Sequence, residues 1–145
     1  MRRKQNAVIS FCFAISLLVC ACSLTRLSLE SRGVDDVVRS STTLEGTKVR
    51  VRGYLRFGDD SRNLWADRNA YDAVSSAYVS PSDPAWNRCV TLYDIGAWRK
   101  DLLARNSTDV VIGGVIRRRA MQEGDVSLSS CSDLGISVLS VESAP

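Results

Sequence analysis

Alternation of apolar and polar side chains between residues 46 and 57 constrains the fold of this chain more than any other feature. A period of two is that of a β-strand with one buried face. The apolar face consists of Val49, Val51, Leu55 and Phe57, with Gly53 completing the row. The opposite face consists of Lys48, Arg50, Arg52, Tyr54 and Arg56. A glycine within the apolar row predicts a bulge or a sharp bend in this strand.

Four further segments have the composition of strands, and one has the pattern of a helix. The strands are predicted at residues 63–66, 88–93, 109–116 and 136–141, and the helix at residues 96–105. Within that helix Trp98 and Leu102 are four residues apart and therefore share a face. Residues 67–87 form a long connection, in which Ala70, Val74 and Ala77 indicate one or two helical turns. Residues 34–38 indicate a short helical turn or strand that leads into the domain.

The order strand-strand-strand-helix-strand-strand, with a glycine-bent first strand, resembles the OB-fold, a five-stranded Greek-key barrel. Residues 49–53 together with residues 110–113, where Gly113 marks a second bend, are similar to the paired V-x-V-x-G strands of small bacterial periplasmic OB-like lipoproteins of uncharacterised function. This resemblance covers about residues 34–142. It implies a mainly β domain over residues 34–145, a small OB-like five-stranded barrel with one helix between strands 3 and 4. The long connection and a brief alternation at residues 126–130 depart from a minimal barrel and leave a different small β-rich sandwich open.

The first 22 residues have the order of a secretory signal, which is a charged start, an apolar run and small residues. Residues 19–22, Val-Cys-Ala-Cys, resemble the lipobox of bacterial lipoproteins. The resemblance implies a signal peptide at residues 1–21, lipidation of Cys22 and a tether at residues 22–33. Ser23 resembles the signal for the outer membrane, so we expect a lipid-anchored protein of the cell envelope that faces the periplasm. Ordinary secretion is the alternative, as is a retained anchor, since residues 7–24 just reach the length of a spanning helix.

Under this interpretation, the five cysteines of the chain have three different roles. Cys12 and Cys20 leave with the signal peptide and Cys22 carries lipid. Cys89 and Cys131 remain, an even pair in an oxidising compartment, and they are predicted to form a disulfide bond. Two separate buried thiols are the alternative.

The residue types available argue against catalysis. The chain has no histidine, which removes the commonest general base and the commonest metal ligand. The carboxylate pairs at residues 59–60 and 123–125 adjoin glycines and have the composition of turns. Zinc is disfavoured because the two available thiols lack the short Cys-x-x-Cys spacing of a zinc site. Calcium is disfavoured because the sequence lacks the glycine and the terminal glutamate of a calcium loop. We therefore expect a protein that is not an enzyme and that needs neither a metal nor a cofactor.

Binding is the class of function that the sequence favours, and the OB-fold binds ligands on the face of its second and third strands. The candidate ligand-binding residues are basic or aromatic: Arg50, Arg52, Tyr54, Arg56, Trp65, Tyr93, Arg117, Arg118 and Arg119. The alternative is that the arginines form a solvated outer face and that the aromatic residues belong to the core.

The net charge of the chain bears on whether its partner is anionic. There are 19 basic and 16 acidic side chains, and three of the basic ones lie within the first four residues, so the rest of the chain is balanced. Nucleic-acid binders usually carry a basic surplus, and nucleic acid is therefore disfavoured. The sequence predicts a non-catalytic module that binds a protein or a cell-wall partner. The alternative is a binder of an anionic ligand, such as a polysaccharide or a lipid head group, through the arginines.

Overall fold

The computed structural model describes residues 30–76, 84–118 and 131–145. Six strands lie within these residues: β1 (Arg32–Gly33), β2 (Lys48–Phe57), β3 (Arg62–Trp65), β4 (Cys89–Tyr93), β5 (Asp109–Arg118) and β6 (Leu134–Ser143). Four α-helices accompany them: α1 (Val34–Arg39), α2 (Ser41–Leu44), α3 (Arg68–Ser75) and α4 (Arg99–Ala104). Two 3₁₀ turns, Pro84–Arg88 and Gly96–Trp98, precede β4 and α4.

Strands β2 to β6 close into a five-stranded barrel. Its order is β2-β3-β4-β6-β5, and β5 pairs back to β2. All pairs are antiparallel except β4 with β6, which is parallel. Helix α4 connects the third barrel strand to the fourth. The predicted mainly β, OB-like barrel with one helix at this place is therefore confirmed.

Alternation along β2 fills the barrel as predicted. Val51 and Leu55 are inaccessible to solvent, and Val49 and Phe57 are nearly so. Leu102 of α4 and Val37 of α1 join the same core cluster, as do apolar side chains of β3 to β6. The helix pattern at residues 96–105 thus corresponds to a 3₁₀ turn followed by α4, with Leu102 buried and Trp98 packed against the core.

The two glycine bends predicted from the sequence have different outcomes. Of the bulge or sharp bend predicted at Gly53, the bulge is wrong, because strand β2 pairs with β5 and β3 without a register shift. A Cβ atom at Gly53 would lie 2.4 Å from the carbonyl oxygen of Trp65, which explains the glycine by close approach of two backbones. The irregularity lies instead in the β5–β6 pair, between Gly113 and Gly114.

The end of the predicted tether, residues 22–33, already pairs with the barrel. Arg32 and Gly33 form β1, which runs parallel to β2 beside Val51 and Arg52. Residues 34–39 are the helix α1 rather than a strand. Within the described ranges, no helix has both the length and the hydropathy needed to cross a membrane. The predicted signal peptide, Cys22 and the alternation at residues 126–130 lie outside the described residues.

Candidate functional site: an aromatic groove on the outer face of the barrel

A second hydrophobic cluster lies on the outer face of the barrel, where β2, β3 and β4 are neighbours. Its buried members are Tyr54, Trp65, Ala70, Val74 and Cys89. Tyr54 lies on the predicted outer face of β2, yet it is only 7% exposed, and Trp65 is 3% exposed. Both rings are covered, so the outer face is not an open stripe at this end of β2.

Helix α3 provides much of that cover, and the sequence explains where it begins. The side chain of Asp67 accepts a hydrogen bond of 2.7 Å from the backbone N–H of Ala70, which caps the first turn. Ala70 and Val74 are one turn apart and both are buried against the barrel. The predicted helical turns in this connection are confirmed for these two residues, whereas Ala77 lies outside the described residues.

Aromatic rings on α3 and on the turn before β4 pack against Trp65. The ring centroids of Trp65 and Tyr71 are 5.7 Å apart, and those of Trp65 and Trp86 are 5.8 Å apart. Tyr71 also lies 6.0 Å from Tyr54, and the guanidinium of Arg56 sits 4.6 Å from the centroid of the Tyr71 ring. These distances are typical of favourable aromatic and cation–π contacts.

The rings of Trp65, Tyr71 and Trp86 line a groove with a volume of about 570 Å³. That volume is within the usual range of small-ligand sites, about 300–1,000 Å³. The turn between β2 and β3, the outward side chains of β3 and β4, helix α3 and the turn before β4 all contribute to it. The lining residues are Asp59, Asp60, Ser61, Arg62, Asn63, Trp65, Tyr71, Val74, Ser75, Trp86 and Thr91.

Two indole N–H groups of the groove have no hydrogen-bond acceptor among the described residues. They belong to Trp65 and Trp86, and both nitrogen atoms are buried. A buried donor without an acceptor destabilises a protein by about 1–3 kcal/mol, so most such groups in folded proteins are paired.

The polar part of the groove is made by an amide, a hydroxyl and exposed charges. The Thr91 hydroxyl and the Asn63 amide oxygen are 3.5 Å apart, a long hydrogen bond that leaves both groups able to bond elsewhere. Asp59 is 95% exposed, and its carboxylate comes no closer than 3.7 Å to the guanidinium of Arg99, so this ion pair is weak. Asp60 and Arg62 are the other charged residues of the rim, and together with Arg99 beside Asp59 they leave it balanced in charge.

Three of the five predicted arginines that the structure describes have partners within the protein. Arg50 forms an ion pair of 2.7 Å with Glu142, and Arg118 pairs with Asp133 at 2.9 Å and with Glu45 at 3.5 Å. Arg56 donates to the Ser107 hydroxyl besides stacking on Tyr71. Arg52 and Arg117 are exposed and make no ion pair within the described part of the chain, and Arg119 lies outside it.

Tyr93 occupies the same outer face but does not line the groove. Its ring lies over Gly135 of β6, where a Cβ atom would be 1.9 Å from the tyrosine Cε2 atom. The glycine therefore makes room for the ring, which is half-buried. The structure brings Trp65 into the groove and leaves Tyr93 beside it.

A disulfide bond joins Cys89 to Cys131, as the sequence predicted. Its S–S distance is 2.04 Å and its Cα atoms are 5.1 Å apart. Cys89 begins β4 and belongs to the second cluster, against which Cys131 packs. The Ser132 hydroxyl donates to the carbonyl of Cys89 at 3.0 Å, which adds a second link at the same place.

Arg88, which the sequence analysis did not single out, anchors the cover of the groove. Its guanidinium donates two hydrogen bonds to Asp35 of α1, at 2.9 and 3.3 Å, and one of 2.9 Å to Asp67. The hydrogen bond to Asp35 is the main cause that raises the pKa of Arg88. The same Asp67 caps α3, so this one arginine connects α1, α3 and the start of β4.

Sequence reasoning also missed Tyr71, Trp86, Asn63 and Thr91. The signal that could have found the first two is the density of aromatic residues between Trp65 and Trp86 in what was read as a connection. Asn63 and Thr91 are cross-strand partners in the β3–β4 pair, and only the strand register shows that they are neighbours.

Among the described residues, no three carboxylate or thiol groups are placed to hold a metal ion together. Comparisons of the chain with protein-family models, with curated proteins and with solved structures found no match.

Proposed function

We propose that this protein is a non-catalytic, lipid-anchored protein of the cell envelope whose barrel binds a protein or cell-wall partner in the aromatic groove. The observation that carries the proposal is the groove itself, about 570 Å³ in volume and lined by the rings of Trp65, Tyr71 and Trp86. A groove that places a few polar groups beside apolar rings has the composition of a ligand site.

The groups around the groove support binding rather than catalysis. The chain contains no histidine. The two carboxylates of the rim, Asp59 and Asp60, are exposed on a turn. A general acid or base is usually a group that burial or a neighbouring charge has tuned toward neutral pH, and an exposed turn provides neither effect.

Lipidation at Cys22 would hold the barrel at the membrane by two acyl chains, since a single chain gives only marginal binding. We expect a radiolabelled fatty acid to be incorporated into the protein in its own cells, and the label to be absent from Cys22→Ser. Cys20→Ser serves as the control and should keep the label. Label that persists in Cys22→Ser would overturn the anchor.

Photo-crosslinking in living cells tests the groove as a contact site. A photoreactive amino acid is placed at Ser75, which lines the groove, and in a second protein at Thr43, an exposed residue of α2 that does not line it. We expect light-dependent adducts from position 75 and none of the same mass from position 43. Equal adducts from positions 75 and 43 would overturn the proposal. A third protein carries the photoreactive amino acid at Asp60, which also lines the groove, and the absence of adducts from both position 75 and position 60 would overturn the proposal as well.

An anionic ligand is the second candidate, and the cations without a carboxylate partner favour it. Arg52 and Arg117 are such groups, and Lys48 lies across from Val115, two residues before Arg117. Vesicles of phosphatidylglycerol and a sulfated dextran are the probes. Binding to either that disappears at high salt and in the Lys48→Gln/Arg52→Gln protein would establish this candidate, because exposed charges are screened by salt. Binding to neither at low salt would remove it.

A further inference from the structure

We propose that one outer face of the barrel docks on the anionic phospholipids of the membrane that holds the anchor. This docking face consists of the outward side chains of β2, β5 and β6, and β1 lies at its edge. The inference rests on the lipid anchor of the proposed function, and it selects the lipid head group among the anionic ligands considered above. Unpaired cations, an exposed leucine and the place where the chain reaches the barrel support it.

Three cations of the docking face have no carboxylate partner among the described residues. They are Lys48, Arg52 and Arg117, and all three are exposed. Lys48 lies across from Val115, two residues before Arg117, and Arg52 lies across from Val111. Residues that are paired across two strands, or that are two apart on one strand, share a face of the sheet. The register therefore brings the three cations to the same face.

The carboxylates of this face are fewer than its cations. Arg50 is the fourth cation, and it forms an ion pair of 2.7 Å with Glu142 of β6. Asp109 is the other outward carboxylate, and it lies opposite Tyr54, a member of the second cluster. Four cations and two carboxylates leave the docking face with two net positive charges.

Charges at the border of the docking face reduce this surplus without reversing it. Arg118 pairs with Glu45 at 3.5 Å and with Asp133 at 2.9 Å. Arg32 and Glu30 are both exposed, and their charges balance. The border thus contributes one negative charge, so one net positive charge remains for the face and its border together. Such a surplus gives a weak attraction to an anionic surface, and salt screens it.

An exposed leucine adds an apolar contact to this face. Leu139 of β6 is 52% exposed. Ser140 pairs with Gly113 and Val138 pairs with Gly114, so Leu139 is the extra residue at the register shift. Strand β6 is two strands away from β2, which corresponds to about 10 Å. Apolar contact combined with electrostatic attraction to anionic lipids is how proteins bind at a membrane interface.

The chain reaches the barrel at the edge of the docking face. Gly33 of β1 pairs with Arg52 of β2. Residues 23–29 separate Cys22 from the first described residue, Glu30, and a chain of this length spans at most about 30 Å. An anchor at Cys22 therefore keeps the docking face close to the head groups. The resulting high local concentration makes a weak attraction sufficient for docking.

Docking on this face turns the aromatic groove away from the bilayer. The order of strands around the barrel is β2-β3-β4-β6-β5. The groove lies over β3 and β4, whereas the centre of the docking face is β5, on the other side of the barrel. The inference thus adds an orientation to the proposed function, in which the groove is open to a partner that is not in the membrane.

Photo-crosslinking to lipid tests the docking face. A photoreactive leucine analogue replaces Leu139 in the full lipidated protein, and in a second protein it replaces Leu103 of α4, which is similarly exposed at 47%. The proteins are reconstituted in vesicles of phosphatidylcholine with and without phosphatidylglycerol. We expect at least about fivefold more lipid adducts from position 139 than from position 103 when phosphatidylglycerol is present. High salt should remove the difference.

Matched charge variants assign the docking to the unpaired cations. Lys48→Gln/Arg52→Gln removes two charges from the docking face, and we expect the adducts from position 139 to fall at least about fivefold, the effect of one basic residue near an anionic surface. Arg68→Gln/Lys100→Gln removes two charges from α3 and α4 and should leave the adducts unchanged. All four side chains are exposed, and urea midpoints show whether each variant is folded.

Several results would overturn the docking face. They are equal adducts from positions 139 and 103, equal adducts with and without phosphatidylglycerol, and adducts from position 139 that persist in Lys48→Gln/Arg52→Gln. Binding of a sulfated dextran by a protein that forms no adducts with phosphatidylglycerol would assign the cations to a polysaccharide instead.

The proposed function is tested separately, by the fatty-acid label on Cys22 and by crosslinking from position 75. If both are obtained while position 139 forms no lipid adducts, the docking face is wrong and the proposed function stands. If Cys22 carries no lipid, the anchor and the docking face are both wrong.

Discussion

Gly53 shows how a single residue allows two strands to approach. Because a Cβ atom there would lie 2.4 Å from the Trp65 carbonyl oxygen and 2.9 Å from side-chain atoms of Leu64 and Val34, the backbone itself must shift to accept one. We expect Gly53→Ala to lower the free energy of unfolding by about 1–3 kcal/mol, the usual effect of overpacking. Urea denaturation measures it.

Gly58 provides the control, since it has open space where its Cβ would be. Gly58→Ala should change the free energy of unfolding by less than about 0.5 kcal/mol, as most surface substitutions do. Equal effects of the two alanines would contradict the close approach as the reason for Gly53.

At this scale the sequence predicted which face each side chain of β2 takes, but not what covers the face. Alternation is a local property of a strand, and it placed Val51 inside and Tyr54 outside. Whether an outward side chain meets solvent depends on elements distant in sequence. Tyr54 is buried because Tyr71 and the rest of α3 lie over it, whereas Arg52, two residues earlier, is exposed.

Secondary-structure elements around the groove are joined through Arg88. Its side chain is 42% exposed, as is that of Asp35. Arg88→Met should therefore lower the free energy of unfolding by only about 1 kcal/mol, the upper end for exposed ion pairs, because two carboxylates lose their partner. Arg99→Met, which removes the long pair with the nearly fully exposed Asp59, should have no measurable effect.

The difference in the free energy of unfolding between the parent and Arg88→Met depends on pH with a definite sign. Folding raises the pKa of Arg88, so its stabilising effect is complete below the ordinary pKa of arginine and is lost only as pH rises through the raised value. The difference between the parent and Arg88→Met should therefore be constant from about pH 6 to about pH 9. A double-mutant cycle with Asp35→Asn that shows no coupling would contradict the link between α1 and β4.

Element order was predictable for a physical reason, and the cover of the groove was not. Each barrel strand carries its own alternation or apolar run, so β2, β4 and β5 could be located within a few residues. The short helix α3 depends on one cap and two buried residues, and its burial follows from contacts with β2 and β3. Pairing of Asn63 with Thr91 across the β3–β4 pair is likewise a matter of register, which no local pattern contains.

At the scale of the whole molecule, the disulfide bond links two cysteines that are distant in sequence. Cys89 and Cys131 are 42 residues apart in sequence. Chain entropy then implies a stabilisation of about 4 kcal/mol, a large share of the total for a small domain. We expect Cys89→Ala/Cys131→Ala to unfold at a temperature lower by more than about 10 °C.

Mass spectrometry of the unreduced parent protein is the accompanying check, and it should show no thiol at Cys89 or Cys131 that can be alkylated. A thermal midpoint unchanged by the double substitution would contradict the stabilising effect of the bond. Because the bond begins at β4, beside Trp65 and Trp86, its loss is also expected to loosen the groove.

The groove as the binding site of this barrel is the central claim, and the three tryptophans report on it directly. Trp65 and Trp86 hold their indole N–H groups unpaired among the described residues, while Trp98 packs against the main core at a different place. The measurement is a ¹H–¹⁵N spectrum of the indole region during titration with solubilised cell-wall fragments, with each signal assigned by a Trp→Phe variant. We predict that the Trp65 and Trp86 signals shift progressively and saturate while that of Trp98 stays in place. Three equal shifts, or none at saturating ligand, would contradict the claim.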